Sequence, residues 1–158
     1  MREQIIIHPC VTKEEAAKML TVSTQQLELN EAWIASDQRG CVHPAFPINQ
    51  FNGAKDTAVV YFEVEPGEYL PTHTDSAEEI LYIVAGEGEA HCGDERGHVS
   101  AGDLAVIPAM VPHGIANTGE ETLKVVGFFC DSHIVSTFNE PLQPIGQSSL
   151  TQGAPVAA

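Results

Sequence analysis

Four side chains that commonly bind metal ions stand in two separate stretches of the sequence. His73, Asp75 and Glu79 lie close together, and His113 follows much later in the chain. Two imidazoles and two carboxylates suit a divalent transition metal if the fold brings them together. Because successive side chains of a β-strand alternate between its faces, His73 and Asp75 would point to the same side of an extended backbone. These residues therefore predict a metal site assembled from distant parts of the chain.

The segments that must position these residues have the pattern of short β-strands. Apolar and polar residues alternate over residues 58–65, and apolar residues dominate residues 79–85, 104–107 and 122–129. Gly and Pro residues between these segments are typical of turns. A capping box near the amino terminus predicts one short helix over residues 12–20. Many short strands with regular turn signals favour an all-β sandwich or small barrel.

The charge of the chain limits its partners. Among 158 residues there are 22 acidic and 7 basic side chains, a formal net charge of −15. Nucleic acids and anionic membrane surfaces are bound by basic faces, so neither is an expected partner. The length fits a single domain with a core of its own. A small organic molecule remains the expected substrate.

The cysteines and the apolar runs indicate a cytoplasmic protein. The four cysteines are widely spaced, and no apolar run has the length of a secretion signal or a membrane helix. Thiols in such a chain are expected to be reduced. Cys41 and His43 form a Cys-x-His pair, but no second pair completes a tetrahedral zinc site. The pair is therefore predicted to be part of a structural loop.

Glycines and prolines stand at fixed intervals around the metal-binding side chains, and together these residues resemble the motifs of a known family. The two stretches resemble the two sequence motifs of the cupin superfamily, over roughly residues 57–130; the matching positions are Gly67, His73, Glu79 and Gly86, then Gly102, Pro108, His113 and Asn117. The resemblance implies a jelly-roll β-barrel. It also implies His73, Glu79 and His113 as metal ligands.

The resemblance divides the chain into four parts. Residues 1–56 are expected to hold the helix and a segment flanking the barrel, and residues 57–130 the barrel core with both motifs. Residues 131–146 are expected to pack on the barrel as an extension. Residues 147–158 have little periodicity and are predicted to be a disordered tail.

The sequence departs from the family pattern at two positions. Met110 stands where the second motif has Gly, which bears on the shape of a turn. Asp75 stands where the first motif has a second His, and three interpretations follow. Asp75 binds the metal itself and favours Fe(II) or Mn(II). Alternatively, the Asp75 side chain is too short to reach the metal, and His73, His113 and Glu79 are the ligands. Asp75 would then orient a ligand or move a proton. In the third interpretation the site holds no metal.

Three functions are consistent with this site. The first is a metal-dependent oxygenase acting on a small organic molecule, with Fe(II) preferred over Mn(II), Ni(II) or Zn(II), and with Asp75 and Glu79 as catalytic residues. The second is a non-oxidative isomerase, cyclase or lyase in which the metal acts as a Lewis acid. The third is a binding protein without catalysis. A barrel of this kind hosts many chemistries, so the fold alone does not choose among them.

One face of a predicted strand indicates an oligomer. Ile80, Tyr82 and Val84 alternate with Glu79 and should point away from the site, yet all three are apolar. Such a face needs cover, part of which Phe128, Phe129 and residues 138–145 could supply. A second copy of the chain would cover the rest of this face, so we predict a homodimer.

Overall fold

The computed structural model describes residues 19–155, and these form an all-β barrel. Two short 3-10 helices occupy Thr24–Gln26 and Gln50–Asn52. The twelve strands are β1 Ala32–Ile34, β2 Asp37–Ile48, β3 Ala58–Val64, β4 Tyr69–Asp75, β5 Glu79–Ala85, β6 Glu87–Cys92, β7 Glu95–Ser100, β8 Leu104–Ile107, β9 His113–Asn117, β10 Leu123–Phe129, β11 Val135–Gln143 and β12 Gln147–Thr151. The predicted all-β jelly-roll barrel is confirmed.

The strands pair along one continuous path that forms two layers. One layer contains β7, β6, β9, β4, β11 and β1, with β12 paired to β11. The other contains β2, β3, β10, β5 and β8, and β2 joins the layers because it pairs with both β1 and β3. Nearly all pairings are antiparallel, as in a jelly roll.

Strict alternation along β5 places the core between the layers. Glu79, Leu81 and Ile83 are buried, whereas Ile80, Tyr82 and Val84 are exposed. The buried side chains join one apolar cluster with residues of both layers, among them Phe62 of β3 and Ile115 of β9. The alternation therefore fixes which face of β5 carries Glu79 into the barrel.

The carboxyl-terminal segment corrects two sequence predictions. The predicted disordered tail, residues 147–158, is wrong over its described part, residues 147–155: Gln147–Thr151 is a strand whose Leu150 pairs with Ser136, and Gln152 is only 7% exposed. Residues 131–146 include β11, which pairs with β4 and β1 as a strand of the barrel itself. The tail is ordered mainly by backbone pairing to β11, which leaves little apolar periodicity in the sequence.

The amino-terminal part also differs from its prediction. The segment expected to flank the barrel supplies β1 and the twelve-residue β2, and Cys41 and His43 lie in that strand and in no loop. β2 contains Pro44 and Pro47, and its pairing with β3 shifts register between Ala45 and Ile48. Proline lacks the backbone donor and is accommodated at such irregularities. Most of the helix predicted over residues 12–20 lies outside the described residues; the part that is described, residues 19 and 20, is irregular.

An apolar face of the second layer points outward and is exposed. It consists of side chains from β5, β8 and β10, namely Ile80, Tyr82, Val84, Leu104, Val106 and Phe128. The expectation that residues 138–145 and Phe129 cover it was wrong. Phe129, Phe138 and Leu142 are buried in the core, because the strands that carry them turn these side chains inward. Among the described residues no helix combines the length and apolar character needed to span a membrane.

Candidate metal centre

Three strands bring the predicted metal-binding residues to one place inside the barrel. His73 and Asp75 lie on β4, Glu79 begins β5 and His113 begins β9. His73 and His113 are directly opposite each other in the antiparallel pair of β4 and β9. All four side chains are buried; Asp75, for example, is 2% exposed. The fold thus assembles the residues that the sequence motifs single out.

The nitrogen and oxygen atoms of this cluster face one another at short distances. Asp75 Oδ2 lies 3.1 Å from His113 Nε2 and 3.4 Å from His73 Nε2. One ligand atom from each of these three residues lies within 4.8 Å of the other two. Glu79 Oε1 is 3.6 Å from His113 Nε2 and stands at the side of this group. Asp75 therefore reaches both imidazoles and is nearer to them than Glu79 is.

Both imidazoles are oriented by the backbone. His73 Nδ1 donates to Pro71 O and His113 Nδ1 donates to Val111 O, each at 2.9 Å. This arrangement holds the rings and turns Nε2 of each toward Asp75. His113 Nε2 and Asp75 Oδ2 are buried and have no hydrogen-bond partner of acceptable geometry. A divalent cation between them would satisfy both atoms, so the side chains fit a metal.

Asp75 is held by a short chain of hydrogen bonds. Ser136 is opposite Asp75 in the β4–β11 pair, and its hydroxyl donates to Asp75 Oδ1 at 2.5 Å. Gln152 Nε2 donates to Ser136 Oγ at 3.0 Å. An ionised carboxylate can only accept, so the single hydroxyl proton of Ser136 goes to Asp75 and Gln152 must be the donor. The chain occupies Oδ1 and leaves Oδ2 facing the imidazoles.

Removing the hydroxyl of Ser136 should weaken metal binding. In Ser136→Ala the Asp75 carboxylate loses the group that fixes its rotation, and loss of such a partner costs about 10–100-fold in metal affinity. Competition with a chromophoric chelator measures the affinity. Ser149→Ala, at an exposed position of β12, is the matched control and should bind metal with the affinity of the parent. Equal affinity of Ser136→Ala and parent would contradict the role of Ser136.

The charges of the cluster favour a cation. For Asp75, burial opposes ionisation, but the neighbouring His113 and His73 imidazoles and the hydroxyl of Ser136 outweigh it and lower its pKa. For His113, burial opposes protonation, but Asp75 and Glu79 outweigh it and raise its pKa to about 10. Burial raises the pKa of Glu79. Without a metal, a proton on His113 therefore balances part of the negative charge that a dication would neutralise.

Gly127 makes room for Glu79. It lies on β10, across from β5, and a Cβ atom added to it would overlap Glu79 Oε2 and approach Val60 Cγ1 to 2.8 Å. Gly127→Ala should therefore displace the Glu79 carboxylate and destabilise the fold by about 1–3 kcal/mol, the usual cost of overpacking. Urea unfolding measures this change, and Gly97→Ala, which meets no atom, is the control. Unchanged stability of Gly127→Ala would show that the Glu79 carboxylate lies elsewhere.

His73, Asp75 and Glu79 of the cluster line one end of a cavity of about 610 Å³. Phe138 stacks on His73 with ring centroids 4.7 Å apart. Most other side chains of the wall are apolar, and they include Val42, Phe46, Val60, Phe62, Leu70, Leu142, Ile145 and Leu150. No lysine or arginine is among the described residues that line the cavity. A molecule in this space would meet a metal site at one end and an apolar wall around it.

Met110 adopts the backbone conformation that its position in the motif suggests. Its φ of 63° lies in the left-handed region, which glycine enters most easily. Its backbone N–H donates to Asp75 O at 2.9 Å. The turn therefore holds the end of β4 although a side chain stands where the motif has Gly.

Three further histidines of the described residues lie outside the cluster. His98 and His133 are exposed. His91 is half-buried and bonds to Thr72 Oγ1 at 3.1 Å. Sequence reasoning missed Ser136 and Gln152, since neither belongs to a motif. The one available signal was that Ser136 and Phe138, two residues apart in a β-rich segment, share one face of a strand.

A small all-β barrel with a buried, candidate divalent-metal site is the class of protein that these features define. The family model described as Cupin domain matches residues 60–129. The uncharacterized protein MJ1618 of Methanocaldococcus jannaschii is 35% identical over 89 residues, which are 56% of this chain and 67% of that protein. The chain belongs to the cupin superfamily.

Solved structures with a similar fold include oxalate decarboxylases. The Bacillus subtilis enzyme is 23% identical with a TM-score of 0.56 over 63% of this chain, and one of its structures is described by its Mn(II) centres. The Lactobacillus farciminis enzyme, in complex with formate, is 22% identical with a TM-score of 0.60 over 70% of this chain. The chain covers only 28% and 33% of these two proteins, so the similarity concerns the fold.

Proposed function

We propose that this protein is a metal-dependent oxygenase acting on a small, mostly apolar organic molecule. The observation that carries the proposal is the convergence of His73, Asp75 and His113 beside the apolar cavity, which His73 and Asp75 line. Two imidazoles and one carboxylate are typical of non-haem Fe(II) oxygenases, in which the remaining positions stay open. The proposed metal is Fe(II); Mn(II), Ni(II) and Zn(II) are the alternatives. A bound metal would supply redox chemistry and Lewis acidity.

The cavity wall supports an apolar substrate with one metal-binding group. A small dianion such as oxalate carries two charges, and the described lining residues include no lysine or arginine to pair with them. The ionised Asp75 adds negative charge at one end of the cavity. Phe62, Phe138 and Leu142 offer apolar contact and exclude water. The substrate named for the similar folds is therefore not proposed for this protein.

The two carboxylates are proposed to have different roles. Asp75, whose pKa is lowered, stays ionised and neutralises the metal. Glu79, whose pKa is raised by burial, can hold a proton beside His113 and deliver it to a bound molecule. Asp75 was also a candidate for moving a proton, but a carboxylate of low pKa is a weak base. Glu79 is the proposed acid–base residue.

The raised pKa of Glu79 also favours a second candidate, a non-oxidative isomerase, cyclase or lyase. Such an enzyme needs a proton donor next to a Lewis acid, and it needs no dioxygen. Glu79 supplies the donor in this geometry. The oxygenase consumes dioxygen, whereas the non-oxidative enzyme does not.

Metal analysis followed by oxygen uptake tests the proposal. Protein purified without chelator or added metal is analysed for its elements, reloaded with Fe(II) and offered a panel of catechols, enediols and thiols. The oxygenase should consume dioxygen with at least one of them, and Glu79→Gln should retain metal while losing turnover. Glu78→Gln, an exposed neighbour, is the control. Turnover that continues without dioxygen would replace the first candidate by the second.

The homodimer and the cytoplasmic location stay predictions. The exposed face of Ile80, Tyr82, Leu104 and Phe128 is where we expect a second copy to bind. Sedimentation equilibrium should give twice the chain mass, and Tyr82→Lys should shift the protein toward the monomer. Glu120→Lys, at an exposed turn, controls for the added charge. A monomer at micromolar concentration would contradict the prediction.

A further inference from the structure

A second group of metal-binding side chains lies where β2 meets the segment before β1, beside the cavity that Glu31 also lines. Val42 and Pro44 line the cavity, and the alternating residues Cys41 and His43 point to the opposite face. Glu31, which precedes β1, approaches them there. The sequence offered only a Cys-x-His pair. The fold supplies the third ligand from a residue ten positions earlier.

The three ligand atoms are close together and poorly satisfied. One ligand atom each of Glu31, Cys41 and His43 lies within 4.8 Å of the other two, and Cys41 Sγ is 4.0 Å from Glu31 Oε1. His43 Nδ1 is buried and has no hydrogen-bond partner among the atoms described. The same holds for Oε2 of the nearby Glu68. Two carboxylates, a thiol and an imidazole thus share a region in which a cation would be favourable.

We propose that Glu31, Cys41 and His43 bind a second divalent cation, preferentially zinc, independently of the central site. Thiolate, imidazole and carboxylate are the ligands that zinc uses, and three protein ligands leave a fourth position for water. Bonds of 2.0–2.3 Å to a tetrahedral ion place ligand atoms roughly 3.5 Å apart. The side chain of Glu31 is exposed and can turn inward to close the remaining gap.

A metal here would also act on the cavity. Glu31 and its neighbours Asn30 and Ala32 line the cavity, whereas Cys41 and His43 belong to the long strand β2. The ion would join the segment before β1 to β2 and fix that part of the cavity wall. Until a metal binds, burial together with Glu68 and Glu31 raises the pKa of the Cys41 thiol to about 11 and keeps it protonated.

Cobalt substitution tests the second site on the whole chain. Cobalt(II) bound to a thiolate gives a near-ultraviolet sulfur-to-cobalt charge-transfer band, and the central site has no thiol among its ligands. We expect the band in the parent protein at one equivalent of cobalt for this site. Cys41→Ser should abolish it, and Cys130→Ser, which removes an exposed thiol, should retain it. Absence of the band in the parent, or its persistence in Cys41→Ser, would overturn the proposal.

Zinc stoichiometry separates this proposal from the central site. Cys41→Ser should bind one zinc fewer than the parent: one instead of two if the central site is filled, none instead of one if it is not. Equal stoichiometry would overturn the second site in either case. His43→Gln provides a second variant should Cys41→Ser fold poorly, and circular dichroism monitors the folding of both. His43→Gln should also lose one zinc.

Discussion

Replacing Asp75 with asparagine is expected to weaken divalent-metal binding by more than about 100-fold, beyond the cost of losing an outer hydrogen-bond partner. Asp75 Oδ2 lies between His73 Nε2 and His113 Nε2, where it can bind the same ion as both imidazoles. Asparagine keeps the size of the side chain but removes its charge. Ser136 still donates to Oδ1, so the amide nitrogen would replace Oδ2 and point a donor at the two imidazoles.

Isothermal titration calorimetry or chelator competition on Asp75→Asn measures this loss. Asp94→Asn makes the same chemical change at an exposed turn and should leave the affinity unchanged. Circular dichroism on both variants separates lost binding from lost folding. If Asp75→Asn binds metal like the parent, Asp75 is not a ligand, and His73, His113 and Glu79 remain as the set of two histidines and one carboxylate.

Removing the metal is expected to lower the free energy of unfolding by about 4 kcal/mol when the loaded protein is held at metal concentrations of roughly 1,000 times Kd. For a domain of this size that change corresponds to a fall in Tm of roughly 10 °C. The physical reason is that metal binds the folded cluster and has little affinity for the separated residues. Differential scanning calorimetry with and without chelator measures the shift. An unchanged Tm would show that the folded protein holds no metal under those conditions.

The size of this stabilisation should depend on pH. In the metal-free protein the folded-state pKa of His113 is about 10, above its ordinary value of 6.5. A raised pKa contributes stability that is complete below 6.5 and is lost as pH rises toward 10. Metal-free protein should therefore become less stable over this range. The loaded protein has no such proton to lose, so the Tm difference should grow with pH, and a constant difference would contradict the coupling between His113 and the ion.

The central residues could be predicted from the sequence because their constraints are local. The spacing of His73, Asp75 and Glu79 singles out the cluster, and strict alternation along β5 predicts that Glu79 points inward with Leu81. The left-handed Met110 occupies a turn that the motif marks. In each case the evidence lies within a few residues of the position concerned.

The remaining features depend on pairing between distant strands. β12 has few apolar residues because it is ordered by backbone bonds to β11, and β2 contains two prolines that a local reading takes for breaks. Ser136 and Gln152 gain their role only from the register that sets Ser136 opposite Asp75. Glu31 meets Cys41 and His43 only once β1 and β2 pair. No short-range sequence pattern predicts these contacts between distant residues.

The pairing of β4 with β11 has a consequence for biosynthesis. Asp75 leaves the ribosome long before Ser136 and Gln152 do, and His113 also follows it at a distance. A growing chain therefore offers His73 and Asp75 without the groups that orient them, and such an incomplete set discriminates poorly among cellular cations. Choice of the ion would fall to the folded barrel, once β11 and Gln152 have joined it.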